Sequence, residues 1–225
     1  MPRHPSCNGR FPLAGLKRRH EVLLPTIQRG DHHTSMEITT ARLLLREYVD
    51  EDAAAFLAYQ ADPRAREFYD PAQTQPTQLQ ALVPLFVQWA AEVPRLNRQL
   101  AIVTRQAPDT LIGSVGLRRS GASSGMAEFG LELAASYWGR GYAPESAEAL
   151  LAFGFTTLRL TAVRGTTVSA NARVTRLVER LGFSRVAEGE GSAWLVARGW
   201  REVTWELRRE DWQRVRANTE VRVGE

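Results

Sequence analysis

Residues 137–144, Tyr-Trp-Gly-Arg-Gly-Tyr-Ala-Pro, have the residue types and spacing of an anion-binding turn. Gly139 and Gly141 remove two side chains, so a bulky ligand can approach the backbone there. Pro144 suits the first turn of a helix, where a missing N–H costs nothing. The first N–H groups of a helix are unpaired and carry partial positive charge. Since a strand-like run precedes the turn and a helix-like run follows it, the segment predicts a cradle for a pyrophosphate.

Two carboxylates, Glu128 and Glu132, stand on the predicted strand before the turn. They lie four residues apart and therefore share one face of that strand. Residues 36–225 contain no His, Cys or Lys. This excludes a Ser-His-Asp triad, a cysteine nucleophile and a lysine Schiff base from that part of the chain, and we expect no metal site. A general acid or base there must be Asp, Glu, Tyr, a terminus or water.

A dinucleotide-binding turn is the rival interpretation of the glycine pair. That turn has the pattern Gly-x-Gly-x-x-Gly, with an acidic residue about twenty positions further on. Here Pro144 stands at the third glycine position, and Arg164 and Gly165 stand where the acid should be. The sequence therefore argues against a dinucleotide-binding turn.

Composition and charge indicate a globular protein of the cytoplasm. Of 225 residues, 44% are hydrophobic and 24% charged, and no apolar run approaches the length of a membrane span. A single Cys cannot form an internal disulfide, which fits a reducing compartment. Residues 1–35 hold six Lys or Arg and two acids, whereas the rest holds 23 of each. The high pI is thus a property of the N-terminal segment and does not predict nucleic-acid binding.

We predict one domain at residues 36–213, a basic and disordered extension at residues 1–35, and a C-terminal tail at residues 214–225. The extension is either a segment ahead of a true start at Met36 or a targeting or interaction arm, and we favour the former. The oligomeric state stays open, and a homodimer is among the states that the sequence allows.

Hydrophobic periodicity predicts alternating strands and helices. The predicted strands are residues 42–49, 99–105, 111–118, 127–135, 162–169, 185–188 and 200–208, and the predicted helices are residues 53–60, 77–93, 145–158 and 172–181. We expect Asp50 to cap the first helix, Pro84 to kink or break the second, and Gly182 to end the last in a left-handed conformation. A turn at residues 107–109 should join two strands. This order predicts an α/β fold with a mixed, largely antiparallel sheet.

Three segments carry a resemblance to a known family. Residues 138–143, Trp-Gly-Arg-Gly-Tyr-Ala, resemble the acyl-CoA-binding motif of the GNAT superfamily of N-acetyltransferases, usually Gln/Arg-x-x-Gly-x-Gly/Ala. Trp at its first position is common in the branch similar to ribosomal-protein-alanine N-acetyltransferases. Residues 171–183 resemble that branch's Asn-x-x-Ser-x-x-Leu-x-x-x-Leu-Gly-Phe, and residues 200–212 give a weaker match. The resemblance covers residues 38–213.

This resemblance implies a GNAT-like α/β fold, with a central sheet of about six or seven strands and helices on both faces. It implies transfer of an acetyl group from the cosubstrate acetyl-CoA to a primary amine of a protein N-terminus or a small molecule. The amine would attack directly, helped by a carboxylate or a water-relayed base. Glu128 matches the catalytic carboxylate of many relatives, and Glu132 is the alternative base or an anchor for the substrate amine.

The resemblance also implies a set of cofactor-binding residues. The backbone amides of the turn would bind the pyrophosphate, three residues before it would pair with pantetheine where two strands splay apart, and an asparagine would hold the cofactor arm near the thioester. These residues are Trp138, Gly139, Arg140, Gly141, Tyr142 and Ala143 for the pyrophosphate, Leu133, Ala134 and Ala135 for pantetheine, and Asn171 for the arm.

The chain departs from the family pattern in the helix after Asn171. Many relatives have a Tyr at the position of Val178, and the branch has a Ser at the position of Val174. The general acid therefore stays open among Tyr137, Tyr142 and water. The same departure leaves a second function open, a non-catalytic acyl-CoA-binding regulator with this fold.

Overall fold

The computed structural model describes residues 36–119 and 121–223, so the predicted extension at residues 1–35 lies outside the described residues. The strands are β1 Glu37–Thr39, β2 Leu43–Glu47, β3 Asn97–Thr104, β4 Ala107–Arg118, β5 Met126–Leu133, β6 Ala162–Val168, β7 Ser184–Gly189 and β8 Glu202–Arg208. The helices are α1 Asp52–Gln60, α2 Pro63–Arg66, α3 Pro76–Gln80, α4 Leu82–Ala91, α5 Tyr142–Thr156, α6 Ala172–Arg180, α7 Ala193–Val196 and α8 Arg209–Val223. Short 3-10 helices lie at Pro71–Gln73 and Ala135–Tyr137.

The eight strands form one sheet in the order β1-β2-β3-β4-β5-β6-β8-β7. Every neighbouring pair is antiparallel except β5 and β6, which run parallel. The predicted mixed, largely antiparallel α/β fold is therefore confirmed, with eight strands rather than six or seven.

Helices pack on both faces of this sheet, each over its own apolar cluster. On one face α5 buries Leu150 and Phe155 against strand residues such as Leu117. On the other face α1 and α4 bury Phe56 and Phe86 around Tyr48. The sheet is thus the middle layer of three and is shielded from water on both sides.

The parallel pair β5 and β6 is the point where the sheet opens. Their ladder consists of three pairs only and ends at Glu128 opposite Arg164. Beyond that point β5 continues to pair with β4 as far as Leu133, and β6 continues to pair with β8 as far as Val168. The two strands therefore separate toward the C-terminal end of β5, and the edge of residues 129–133 that faces β6 pairs with none of the described strands.

Both ends of helix α6 have a defined geometry. The Asn171 side chain accepts a hydrogen bond from the Val174 N–H at 3.2 Å, as an N-cap does. At the other end Gly182 has φ +89°, the left-handed conformation that the sequence predicts. The helix start is therefore fixed beside the point where β6 ends.

The helical region at residues 77–93 is broken in two, as predicted, with the break at Ala81 and Pro84 in the first turn of α4. Two local predictions are wrong. The turn between β3 and β4 lies at residues 105–106, because residues 107–109 already belong to β4. Asp50 does not cap α1. The neighbouring Asp52 instead accepts a hydrogen bond from the Val49 N–H at 3.0 Å.

Several short or polar elements were not predicted, namely β1, α2, α7 and α8. Residues 214–223, which the sequence assigned to a tail, continue helix α8. This helix packs through Trp212, whose ring centroid lies 5.1 Å from that of Phe155. Across the residues described, no helix combines the length and apolar character needed to cross a membrane.

Candidate active site

The gap between β5 and β6 opens into a cleft of about 610 Å³. Its walls are the ends of these two strands, the glycine turn with the start of α5, helix α6, and the segment from α1 to residue 69. The cleft therefore lies where a glycine turn, two helix starts and two unpaired strand edges converge.

The glycine turn has the conformation that an anion cradle requires. Gly139 and Gly141 have φ values of +75° and +77°, which favour glycine. A side chain at Gly139 would meet no atom within 4 Å, so space above its backbone is open. Within the described residues, the N–H groups of residues 139–143 donate to no acceptor, whereas that of Trp138 donates to the Ala135 carbonyl at 3.3 Å. Five neighbouring N–H donors therefore point away from internal partners beside the cleft.

Contacts from outside the turn hold it in shape. The Trp138 indole N–H donates to the Leu133 carbonyl at 2.8 Å, which ties the turn to the end of β5. The Arg42 guanidinium donates to the Arg140 carbonyl at 2.8 Å. Arg42 also pairs with Glu145 in the first turn of α5, where a carboxylate opposes the positive helix end.

Glu145 carries a shifted pKa. Burial acts to raise it, but hydrogen bonds from the Thr40 hydroxyl and from Arg42 outweigh burial and hold the pKa of Glu145 below its usual range. The carboxylate is therefore ionised at neutral pH, and it holds Arg42 in contact with the turn.

Most, though not all, of the predicted cofactor residues lie on the cleft wall. Those that line the cleft are Leu133, Trp138, Gly139, Gly141, Tyr142, Ala143 and Asn171. Arg140 is not on the wall, and its carbonyl is held by Arg42. Ala134 and Ala135 are buried beside the cleft rather than on its wall, and the Ala134 N–H donates to the Ile112 carbonyl at 2.9 Å. The backbone of β5 that faces the gap therefore ends at Leu133.

The two candidate carboxylates occupy different environments. Glu132 lines the cleft, is 8% exposed and accepts a hydrogen bond from the Gln60 amide. Glu128 stands at the last β5–β6 pair, outside the cleft wall, and its carboxylate lies 3.5 Å from the Arg118 guanidinium. Both terminal nitrogens of Arg118 lie 3.0 Å from where a side chain on Gly130 would begin. Gly130 thus makes room for a guanidinium over the strand between the two acids.

Tyr59 and Gln60 join Glu132 at this end of the cleft, and the sequence did not predict either. The Tyr59 hydroxyl is buried, with Gln60 and Tyr48 within hydrogen-bonding reach of it. Burial, reinforced by the nearby Tyr48 and Glu132, raises the pKa of Tyr59 well above its usual value. Tyr59 is therefore a neutral hydroxyl that can donate or accept a hydrogen bond.

The helix α6 forms the opposite wall and is apolar near its start. Val174 and Val178 both line the cleft, and Val178 is buried. The two positions at which the motif resemblance places a Tyr and a Ser therefore line the cleft, but Val178 and Val174 carry no proton donor. Tyr137 and Tyr142 line the cleft as well, with ring centroids 6.4 Å apart.

Three arginines of α6 also line the cleft, at spacings that place them on one side of the helix. Arg173 pairs with Glu67 at 3.2 Å and lies 4.3 Å from the centre of the Trp138 ring. Arg176 and Arg180 lie in no ion pair with any described residue. The α6 wall therefore presents uncompensated positive charge a short way from the cradle. Among residues 36–119 and 121–223, no cluster of His, Cys, Asp and Glu could hold a metal ion.

Comparison with known proteins agrees with this geometry. Residues 42–184 match the acetyltransferase (GNAT) domain family. An uncharacterised N-acetyltransferase of Bacillus licheniformis, p20, is 28% identical over 147 residues, which are 65% of this chain and 81% of that protein. A GNAT-family acetyltransferase from Bacillus anthracis superposes with a TM-score of 0.63 at 21% identity, covering 78% of this chain and 99% of that one. The ribosomal-protein-S5-alanine acetyltransferase of Vibrio fischeri superposes with a TM-score of 0.60 at 15% identity, covering 79% and 98%.

The mixed sheet opens between two parallel strands, and a glycine turn whose N–H groups have no described acceptor lies beside the opening. This arrangement is that of an acyltransferase of the GNAT type. The family match spans more than half of the chain, and the chain belongs to the GNAT acetyltransferase domain family. The resemblance inferred from the motifs is therefore confirmed, and the structural neighbours support the fold.

Proposed function

We propose that the protein is an acetyl-CoA-dependent N-acetyltransferase that acetylates a primary amine, with Glu132 as general base. One observation carries the proposal: Gly139, Gly141, Tyr142 and Ala143, whose N–H groups have no described acceptor, line the same cleft as the buried Glu132. A phosphate-binding element and a carboxylate are the two parts that acyl transfer from CoA to an amine requires.

Acetyl-CoA fits the residues of the cleft. Its pyrophosphate needs several N–H donors and no side-chain obstruction, which the turn with Gly139 and Gly141 supplies. The edge of residues 129–133 offers backbone groups to an extended pantetheine arm. When bound, acetyl-CoA supplies an acetyl thioester whose C–S bond breaks as the N–C bond to the amine forms.

Glu132 has the position and environment of the base. An amine attacks only in its neutral form, so a proton must pass from it to an acceptor. Of the two acids on this face of β5, Glu132 lines the cleft, while Glu128 lies beside Arg118 where β5 and β6 are still paired. The Gln60 amide holds the Glu132 carboxylate in place. Direct transfer to Glu132, or transfer through one water, is consistent with this arrangement.

Val174 and Val178 of α6 have no proton to give. The departing CoA thiolate therefore takes its proton from another group. Tyr137 and Tyr142 remain the side-chain candidates, together with water. A core without cysteine requires no oxidising compartment, and the cytoplasm is the location that we propose.

The same features support a second function, an acyl-CoA-binding regulator without turnover. The apolar side chains of Val174 and Val178, at positions where relatives carry Ser and Tyr, favour it. Such a regulator would bind acyl-CoA at the same glycine turn as the enzyme but would not transfer the acyl group.

Two measurements separate these functions. Acetyl-CoA should raise the melting temperature of the full chain, and release of CoA thiol should accelerate when a panel of primary amines is added. The variant Gly139→Glu, which places a carboxylate in the cradle, is the control for specific binding. Binding without thiol release across the whole panel would favour the regulator, and absence of binding would contradict both functions.

A further inference from the structure

The acceptor side of the cleft, where the segment from α1 to residue 69 meets Glu132, contains one buried carboxylate and one exposed guanidinium. The carboxylate is that of Glu132, at 8% exposure, and the guanidinium is that of Arg64 in α2, whose side chain is 65% exposed. Both line the cleft. Within the described residues, Glu132 is the single acidic side chain on the cleft wall. A polyamine needs a separate negative partner for each ammonium group, and the wall offers one.

The buried end is suited to an amino group. Glu132 supplies negative charge, and the neighbouring Tyr59 is a neutral hydroxyl within hydrogen-bonding reach of Tyr48 and Gln60. The rings of Phe68 and Tyr69 also line this side of the cleft, and aromatic faces attract ammonium groups. These groups form a site for one positive charge.

The other acids of this segment have structural partners. Asp62 accepts a hydrogen bond from the Arg64 N–H and pairs with its guanidinium at 2.7 Å. Asp70 accepts a hydrogen bond from the Ala72 N–H. Glu67 pairs with Arg173 across the mouth of the cleft. A second ammonium group would therefore approach arginines rather than unpaired carboxylates.

Arg64 is placed to meet the far end of an acceptor. Arg64 lies four residues after Gln60, the residue that contacts Glu132. The chain makes two turns between Gln60 and Arg64. The backbones of Gln60 and Arg64 are thus less than about 14 Å apart. Asp62 accepts hydrogen bonds from the Nε and Nη2 atoms of Arg64, whereas Nη1 donates to no described residue, so Nη1 can bind a ligand carboxylate while the ion pair with Asp62 stays in place.

We infer that the acceptor is a primary amine with a negatively charged group a few bonds away, as in an amino acid or an acidic peptide N-terminus, and not a polyamine. Glu132 receives the amine and Arg64 receives the anion. This inference rests on the proposed function and adds the substrate class to it.

Three four-carbon amines that differ only in their far end test this selection. They are 4-aminobutanoate, butylamine and 1,4-diaminobutane, with an anionic, a neutral and a cationic end. The kcat/KM for CoA-thiol release should fall in that order, by about tenfold between the anion and the dication at low salt. Glutamate and an amidated Glu-Ala-Ala peptide then distinguish a free amino acid from a peptide N-terminus.

Variants at Arg64 assign the selection to that residue. Arg64→Gln should bring the three kcat/KM values together, and Arg64→Glu should favour the diamine. Arg105→Gln, an exposed arginine on the β3–β4 turn, is the matched control and should leave the order unchanged.

Each contrary outcome points to one of the two proposals. A wild-type preference for 1,4-diaminobutane, or an order unaffected by Arg64→Gln, would overturn the inference and leave the acetyltransferase intact. The same holds if all three amines are inert while another amine of the wider panel is acetylated. If no amine at all releases thiol, the proposed function fails and the inference fails with it.

Discussion

The Glu145 carboxylate in the first turn of α5 accepts hydrogen bonds from both the backbone and the guanidinium of Arg42, at 2.8 and 2.7 Å. The two residues are 103 positions apart, so this contact joins the first strands of the sheet to the helix that begins at the glycine turn. The guanidinium reaches on to the Arg140 carbonyl within the turn. The shape of the cradle thus depends on a residue far from it in sequence.

Removing the charge of Glu145 should loosen this contact. We expect Glu145→Gln to lower the free energy of unfolding at pH 7 by about 1 kcal/mol. This is less than the usual contribution of a hydrogen bond to a charged group, because Arg42 is half exposed and water screens the pair. Acetyl-CoA should bind more weakly as well. Glu148→Gln, an exposed residue of the same helix, is the control in chemical denaturation and in titration with acetyl-CoA.

The pH dependence of this effect has a defined sign. The pKa of Glu145 is lower in the folded chain than in the unfolded one, so its contribution is complete above the unfolded pKa, about 4.3, and disappears as the pH falls through the folded value. The stability difference between the wild type and Glu145→Gln should therefore be largest near neutrality and vanish in acid. A difference that persists at low pH would contradict the role of the ionised carboxylate.

The turn itself can be tested with two glycines of the same conformation. Gly139 and Gly121 have φ +75° and +79°, and neither has an atom within 4 Å of the position where a side chain would begin. Glutamate at either site should carry a similar strain of about 1–2 kcal/mol. Only Gly139→Glu should also weaken acetyl-CoA binding, by tenfold or more, because it places a carboxylate beside the pyrophosphate. Equal affinities of the two variants, measured by calorimetry, would show that the cradle lies elsewhere.

The sequence predicts this turn because its signals are local. Two glycines and the proline of the first helical turn act on their own neighbours, and the structure gives both glycines a left-handed φ at the start of α5. The contact of Gln60 with Glu132 spans 72 positions and depends on how α1 packs over the sheet. The segment from residue 61 to residue 81 consists of short helices without a readable period, so the acceptor side could not be derived in the same way.

Local sequence signals also could not decide which of the two carboxylates is the general base. Glu128 and Glu132 share a face of one strand, and periodicity treats them alike. What separates them is the place where β5 leaves β6, directly after the pair of Glu128 with Arg164. The resemblance to the family implies that two strands splay apart, but it does not indicate the pair at which they do so.

A pair of matched variants tests this assignment. Glu132→Gln should lower kcat by about 10²–10⁴-fold near neutral pH, because the amine loses its proton acceptor, while acetyl-CoA still raises the melting temperature. The loss should shrink at high pH, where more of the amine is already neutral. Glu128→Gln should change kcat far less. A large loss in Glu128→Gln together with normal turnover in Glu132→Gln would exchange the two roles.

The uncompensated arginines of α6 give a prediction about the cofactor. Arg176 and Arg180 line the cleft without an ion-pair partner among the described residues, on the wall that faces the cradle. CoA carries a third phosphate on its ribose, and we expect these two guanidinium groups to bind it. Arg176→Gln/Arg180→Gln should weaken CoA binding by about tenfold and leave binding of 3′-dephospho-CoA nearly unchanged. The difference should diminish as salt rises, because both arginines are exposed. Arg105→Gln should not alter the ratio of the two affinities, and an unaltered ratio in the double variant would place the ribose phosphate away from α6.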